Sequence, residues 1–211
     1  MKKIIGLMAL LTFSLNAFAV PVDASSLTMN VYQIAVALDA DCSNPQVIFQ
    51  STAGTLKDFL ANPTLGSGNL ADGTYNCIMI TMDDVISFKP SANEGANCVM
   101  GATYQIDVCR APSTTDLLTG TTTTNPICAG TDQTVSAGGV ANKVTLYLLT
   151  GTSGAANSAF QKGVGANNGI ALASPFIVAG AETGIFYLDA TGQVQSQNGH
   201  CEMNAPQFGF R

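Results

Sequence analysis

Six cysteines, Cys42, Cys77, Cys98, Cys109, Cys128 and Cys201, are the most chemically distinctive residues of this chain. No two are closer than Cys98 and Cys109, so there is no CxxC pair. Zinc ribbons and thioredoxin-like redox centres depend on such close pairs, and the spacing excludes both. An even number of cysteines in an oxidising compartment reads as up to three structural disulfides, whose connectivity spacing alone leaves open.

The acidic residues offer two further constellations. Asp39-Ala40-Asp41-Cys42-Ser43 sets oxygen ligands at the first odd positions of a calcium loop. The required glycine is replaced by Asn44 and the closing glutamate by Gln50, so a polar turn is expected instead. Asp83-Asp84 would be a paired carboxylate only at a bulge, because neighbours on a strand point to opposite faces. A carboxylate-only hydrolase would need two of Asp39, Asp41, Asp83, Asp84 and Asp107 to converge to roughly 5–10 Å. His200-Cys201-Glu202-Met203 holds soft ligands, but blue copper needs two histidines and the chain has one. No nucleophile elbow or phosphate loop is present. No catalytic residue, metal or cofactor is expected.

What must position these residues is an exported chain. Lys2 and Lys3 precede an apolar run from Ile4 to Leu15, and Ala17-Phe18-Ala19 gives a small-x-small cleavage pattern before Val20. Residues 1–19 therefore read as a bacterial secretory leader, and 20–211 as one mature domain. The apolar run falls short of the roughly 20 residues that span a bilayer, and no membrane span is expected in the mature chain. Charged residues are 10% of the sequence and the formal net charge is −6. The leader holds two of the eight basic residues and none of the fourteen acidic ones, leaving −8 on residues 20–211. Nucleic acid needs clustered Lys and Arg, so it is excluded as a partner.

Period-two patterning dominates the mature region. Asn30 to Asp39 places Tyr32, Ile34, Val36 and Leu38 on one face. Gln46 to Gln50 is a shorter run, and Leu56, Phe59 and Leu60 then suggest one or two helical turns before Asn62-Pro63. A long strand over Thr74 to Phe88 should bend near Asp83-Asp84. Further strands are expected at Tyr104–Cys109, Lys143–Thr150, Pro175–Val178, Gly184–Asp189 and Gln193–Gln197. The last two flank Asp189-Ala190-Thr191-Gly192, a hairpin signal. Ser113–Asn125 and Gly151–Asn168 read as polar loops. This gives an all-β fold, an antiparallel sandwich of about eight or nine strands with one short helix and long disulfide-supported loops.

Gly73, Thr74, Tyr75, Ile78 and Ile80 carry a Gly-Thr-Tyr-x-x-Ile-x-Ile pattern. With the strand VYQIAVAL before it, this stretch resembles secreted bacterial β-sandwich domains of the transthyretin-like (prealbumin-like) type. Such domains generally serve as structural or binding modules, so the resemblance implies a non-enzymatic role and no catalytic residue. The expected location is periplasm, cell surface or medium. The expected partner is a protein or glycan at the cell envelope. A pilin-like subunit is the alternative and would need an unpaired strand at one terminus.

Overall fold

The computed structural model describes residues 20–61, 70–107, 113–115, 122–124, 143–152, 169–180, 182–183, 185–197 and 199–210. The expected leader, Cys109, Cys128 and most of the 151–168 loop lie outside these residues. The early strands are β1 (Ala24–Ala37), β2 (Gln46–Asp58), β3 (Gly73–Tyr75), β4 (Cys77–Asp83), β5 (Val85–Pro90), β6 (Tyr104–Asp107), β7 (Ser113–Thr115) and β8 (Thr122–Thr124). The later ones are β9 (Lys143–Leu149), β10 (Ile170–Ala171), β11 (Phe176–Ala179), β12 (Glu182–Thr183), β13 (Phe186–Asp189), β14 (Val194–Gln197), β15 (His200–Met203) and β16 (Gln207–Phe210).

The long strand β1 organises the molecule. It pairs antiparallel with β2 along one edge and with β4 and β5 along the other. The expected strand Thr74–Phe88 does break at Asp84, between β4 and β5, but it also breaks at Asn76, where β3 leaves to pair with β11 in a separate sheet. Beyond β4 lie β9 and then β10, the latter parallel; beyond β5 lies β6. These seven strands form the main sheet. Smaller groupings are β12–β11–β3, β13–β16, β14–β15 and β7–β8.

A bulge in β1 decides which side chains face which way. Leu27, Met29 and Val31 are buried in alternation, and the register then shifts between Val31 and Gln33 against both neighbouring strands. The extra residue is Tyr32, and parity flips across it. Ile34 and Val36 now join Leu27, Met29 and Val31 in the main core. Ala35 and Ala37 enter a second cluster with Cys42, Cys77, Met79, Tyr147 and Leu149. Both faces of this part of the sheet are therefore buried. Tyr32 does not share a face with Ile34 in the way simple alternation expects, and Leu38 lies beyond the strand, exposed.

The main core is closed by aromatic side chains from the smaller strand groups. Phe176 stacks on Phe210 with centroids 4.7 Å apart, and Phe186 meets Phe210 at 5.3 Å and Phe59 edge-on at 5.9 Å. Such pairs add about 0.5–1.5 kcal/mol each beyond their burial.

Several elements differ from expectation for physical reasons. The expected helical turns at 54–62 reduce to one 3-10 turn at Phe59–Ala61, because Thr55 to Asp58 pair with β1. Tertiary pairing here overrides a local i, i+3, i+4 signal. The Asp189–Gly192 segment does turn, with Gln193 N–H donating to Ala190 O at 3.2 Å, but it closes no hairpin. Its flanking strands part: β13 pairs with β16 and β14 with β15. Ser113–Thr115 and Thr122–Thr124, expected in a loop, pair as strands, consistent with the β-propensity of threonine. Near the C-terminus, where no strand is expected from the sequence, Gln207–Phe210 forms β16 with Phe208 and Phe210 buried. The described residues hold sixteen strand segments rather than eight or nine, partly because bends divide long strands.

Candidate functional site

Two of the expected disulfides are placed: Cys42–Cys77 and Cys98–Cys201. Each fastens a surface loop to a strand. Cys42 ties the turn after β1 to the start of β4. Cys98 ties the segment between β5 and β6 to β15. All four sulfur-bearing residues are buried.

The loop held by Cys98, residues 91–103, is fixed at nearly every step. Glu94 and Cys98 exchange both backbone hydrogen bonds, at 2.9 and 3.2 Å. The Tyr104 phenol accepts from Val99 N–H and donates to Asn97 O, both at 2.8 Å. Its ring stacks on Phe88, so the core fixes the phenol in place. Met100 N–H donates to Asn93 Oδ1 at 2.7 Å, and Asn97 Nδ2 donates to Ser196 Oγ at 2.8 Å. Glu94 is buried, its Oε2 accepting Ser196 N–H while Oε1 has no hydrogen-bond partner. Gly95 lets this contact close, since a Cβ there would lie 2.5 Å from Ser196 Cβ. Gly101 reverses the chain at φ 73°. At the tip of this braced loop, Val99 is 55% exposed and Met100 62%.

A second constellation surrounds the β1 bulge. Tyr32 donates its phenol hydrogen to Asp83 Oδ1 at 2.8 Å. Asn30 Nδ2 donates to Asp83 Oδ2 at 3.2 Å and to the Tyr32 oxygen at 3.1 Å. Lys143, directly across from Asp83, sits over the Tyr32 ring at 4.1 Å. Partial burial pushes the Tyr32 phenol above its ordinary value, and the hydrogen bond to Asp83 and that carboxylate's charge push it the same way. At neutral pH Tyr32 is thus a hydrogen-bond donor rather than a base, and the group acts as a clamp on the bulge. Beyond it, Thr81 and Thr145 share a buried hydrogen bond at 3.0 Å beside Gln33, whose Oε1 has no partner.

The remaining sequence candidates fall elsewhere. Asp39 Oδ2 accepts from Ser43 Oγ at 2.9 Å and Asp41 Oδ1 from Ser43 N at 3.0 Å, forming the expected polar turn. Cys42 and Asn44 both take positive φ there. Asp84 is buried at the strand break, while Asp83 belongs to the Tyr32 clamp. Within β15, burial alternates so that Cys201 and Met203 face inward and His200 and Glu202 do not. Among the described residues no group of three or more His, Cys, Asp or Glu is placed to hold a metal ion. No helix among them is long and apolar enough to cross a membrane. The sequence reading does not identify the braced loop; the signal that could have located it is the Gly95/Gly101 pair around Cys98. No protein-family model, curated protein or solved structure matches the chain.

Proposed function

We propose that this chain is an exported, non-enzymatic β-sandwich domain acting as a binding or structural module of a bacterial cell envelope or surface. One observation carries the reading. A disulfide, a backbone bridge and a chain of side-chain hydrogen bonds rigidify residues 91–103, and that rigidity presents two apolar side chains to solvent. A pre-ordered apolar tip binds without first losing loop entropy, which is how recognition loops on rigid scaffolds gain affinity. The leader pattern at 1–19 and the two disulfides support an oxidising destination. The transthyretin-like resemblance of Gly73–Ile80 is compatible with such a module.

The alternative, a pilin-like subunit, asks for a strand free to leave. Ala24–Thr28 is paired with β5, and β16 is paired with β13, so donation from either would first cost an internal pairing. A carboxylate hydrolase is disfavoured by the hydrogen bonds that occupy Asp39, Asp41 and Asp83.

The test is a glycan array and an envelope pull-down with the oxidised mature protein and a Val99→Asp/Met100→Asp variant. Retention by the native protein should fall at least about tenfold in the variant, roughly the 1.4 kcal/mol of one apolar hot spot. Its unfolding midpoint should not move. Equal retention by the two proteins, or none by either, would overturn the reading.

A further inference from the structure

We propose that Met100 is the site at which this molecule is oxidised, and that its sulfoxide converts the apolar tip of residues 91–103 into a polar one while leaving the fold intact. Residues 20–211 hold five methionines. Four are enclosed: Met29, Met79, Met82 and Met203 are between 1% and 4% exposed. Met100 is 62% exposed. A peroxide must reach the thioether sulfur to react, so exposure selects among otherwise equivalent side chains. In the reaction the sulfur lone pair attacks the distal peroxide oxygen and the O–O bond breaks. The sulfur gains one oxygen and loses two electrons, and the peroxide is reduced to water.

The consequence follows from how the loop is held. What anchors residue 100 is its backbone N–H, bonded to Asn93 Oδ1, together with the Tyr104 phenol's grip on Val99 N–H and Asn97 O. None of these bonds uses the thioether. Oxidation therefore changes what the tip shows to solvent without removing what holds it. A sulfoxide is a polar, chiral acceptor, and a pocket shaped for an apolar side chain would have to desolvate it. Because partner binding rests on the function proposed above, the test includes readouts that need no partner.

The folded protein is titrated with hydrogen peroxide and its peptides are mapped by mass. Met100 should gain oxygen at least about tenfold faster than the four enclosed methionines, and in urea that preference should vanish. The oxidised protein should leave a hydrophobic-interaction column earlier, with its thermal midpoint unchanged. Met100→Leu should show neither the oxygen gain at that position nor the shift in retention. Comparable rates at all five methionines in the folded state would overturn the site. Unchanged column retention, or a lowered midpoint, would overturn the switch. If the unoxidised protein retains a partner, oxidation should weaken that retention and Met100→Leu should preserve it under peroxide. Failure to retain any partner would count against the proposed function alone, since mapping and retention still decide the role of Met100.

Discussion

Tyr32 shows how much a single side chain can arrange. It is the extra residue of the β1 bulge, and its phenol reaches Asp83 while Asn30 bonds to both. Tyr32→Phe removes the donor and should lower stability by about 1 kcal/mol in urea unfolding. The phenol's raised pKa sets a pH dependence. The folded state favours the protonated ring, so this contribution is complete below the ordinary phenol value of about 10 and is lost as pH rises through the folded value. Tyr147, whose phenol is pushed up by burial, should behave alike. Ultraviolet titration should therefore show Tyr32 and Tyr147 ionising above the ordinary phenol range, and the Tyr32→Phe protein should lose one of these late steps. The sequence made part of this legible. Asp83-Asp84 stood out as a bend in an over-long strand, and the strand does break there. The partners of Asp83 were not legible, because Asn30, Tyr32 and Lys143 meet only through two pairings distant in sequence.

Among the elements, β2 carries the clearest device. Against β1 its register jumps from Thr55 to Gln50, so residues 51–54 form an arch opposite the single residue Tyr32. Gly54 closes the arch at φ 78°, and a Cβ there would fall 2.5 Å from the Asn30 amide. Asn30 is already bonded to Tyr32 and Asp83, so it cannot yield cheaply. Gly54→Ala should cost about 1–3 kcal/mol by denaturant unfolding, from left-handed strain and the disturbed clamp together. A cost near zero would mean that the arch relaxes freely. The arch also offers a shape argument: a bulged, twisted strand is a poor template for another chain. Period-two patterning located most strand centres, including Lys143–Leu149 and Tyr104–Asp107. It failed where partners are decided at long range. The Asp189–Gly192 turn has the chemistry of a hairpin, yet Val22 bridges Val194 and Gly192 N–H bonds to Asp23, which draws β14 away from β13. The helical spacing of Leu56, Phe59 and Leu60 likewise yielded to pairing with β1.

For the whole molecule, the two disulfides close segments of very different length. Cys42–Cys77 spans a separation of 35 residues and Cys98–Cys201 one of 103. Chain-entropy accounting gives each a loss of about 2–5 kcal/mol on removal, with the longer closure worth about 1 kcal/mol more. The double variant Cys98→Ser/Cys201→Ser should thus unfold at lower urea than Cys42→Ser/Cys77→Ser. It should also loosen residues 91–103, seen as faster amide exchange at Val99 and Met100. Equal midpoints would show that local packing, not closure length, sets their worth. The cysteine count pointed to bridges, but which cysteines pair depended on the path of the chain between them.

The central position of β1 has a consequence in time. β1 can settle early against β2 along one edge, but along its other edge Ala24–Ala37 needs partners as late as Pro90, and just before it Val22 waits for Val194. A chain delivered from its N-terminal end therefore cannot finish its middle until its far end has arrived. Such long-range closure makes folding slow.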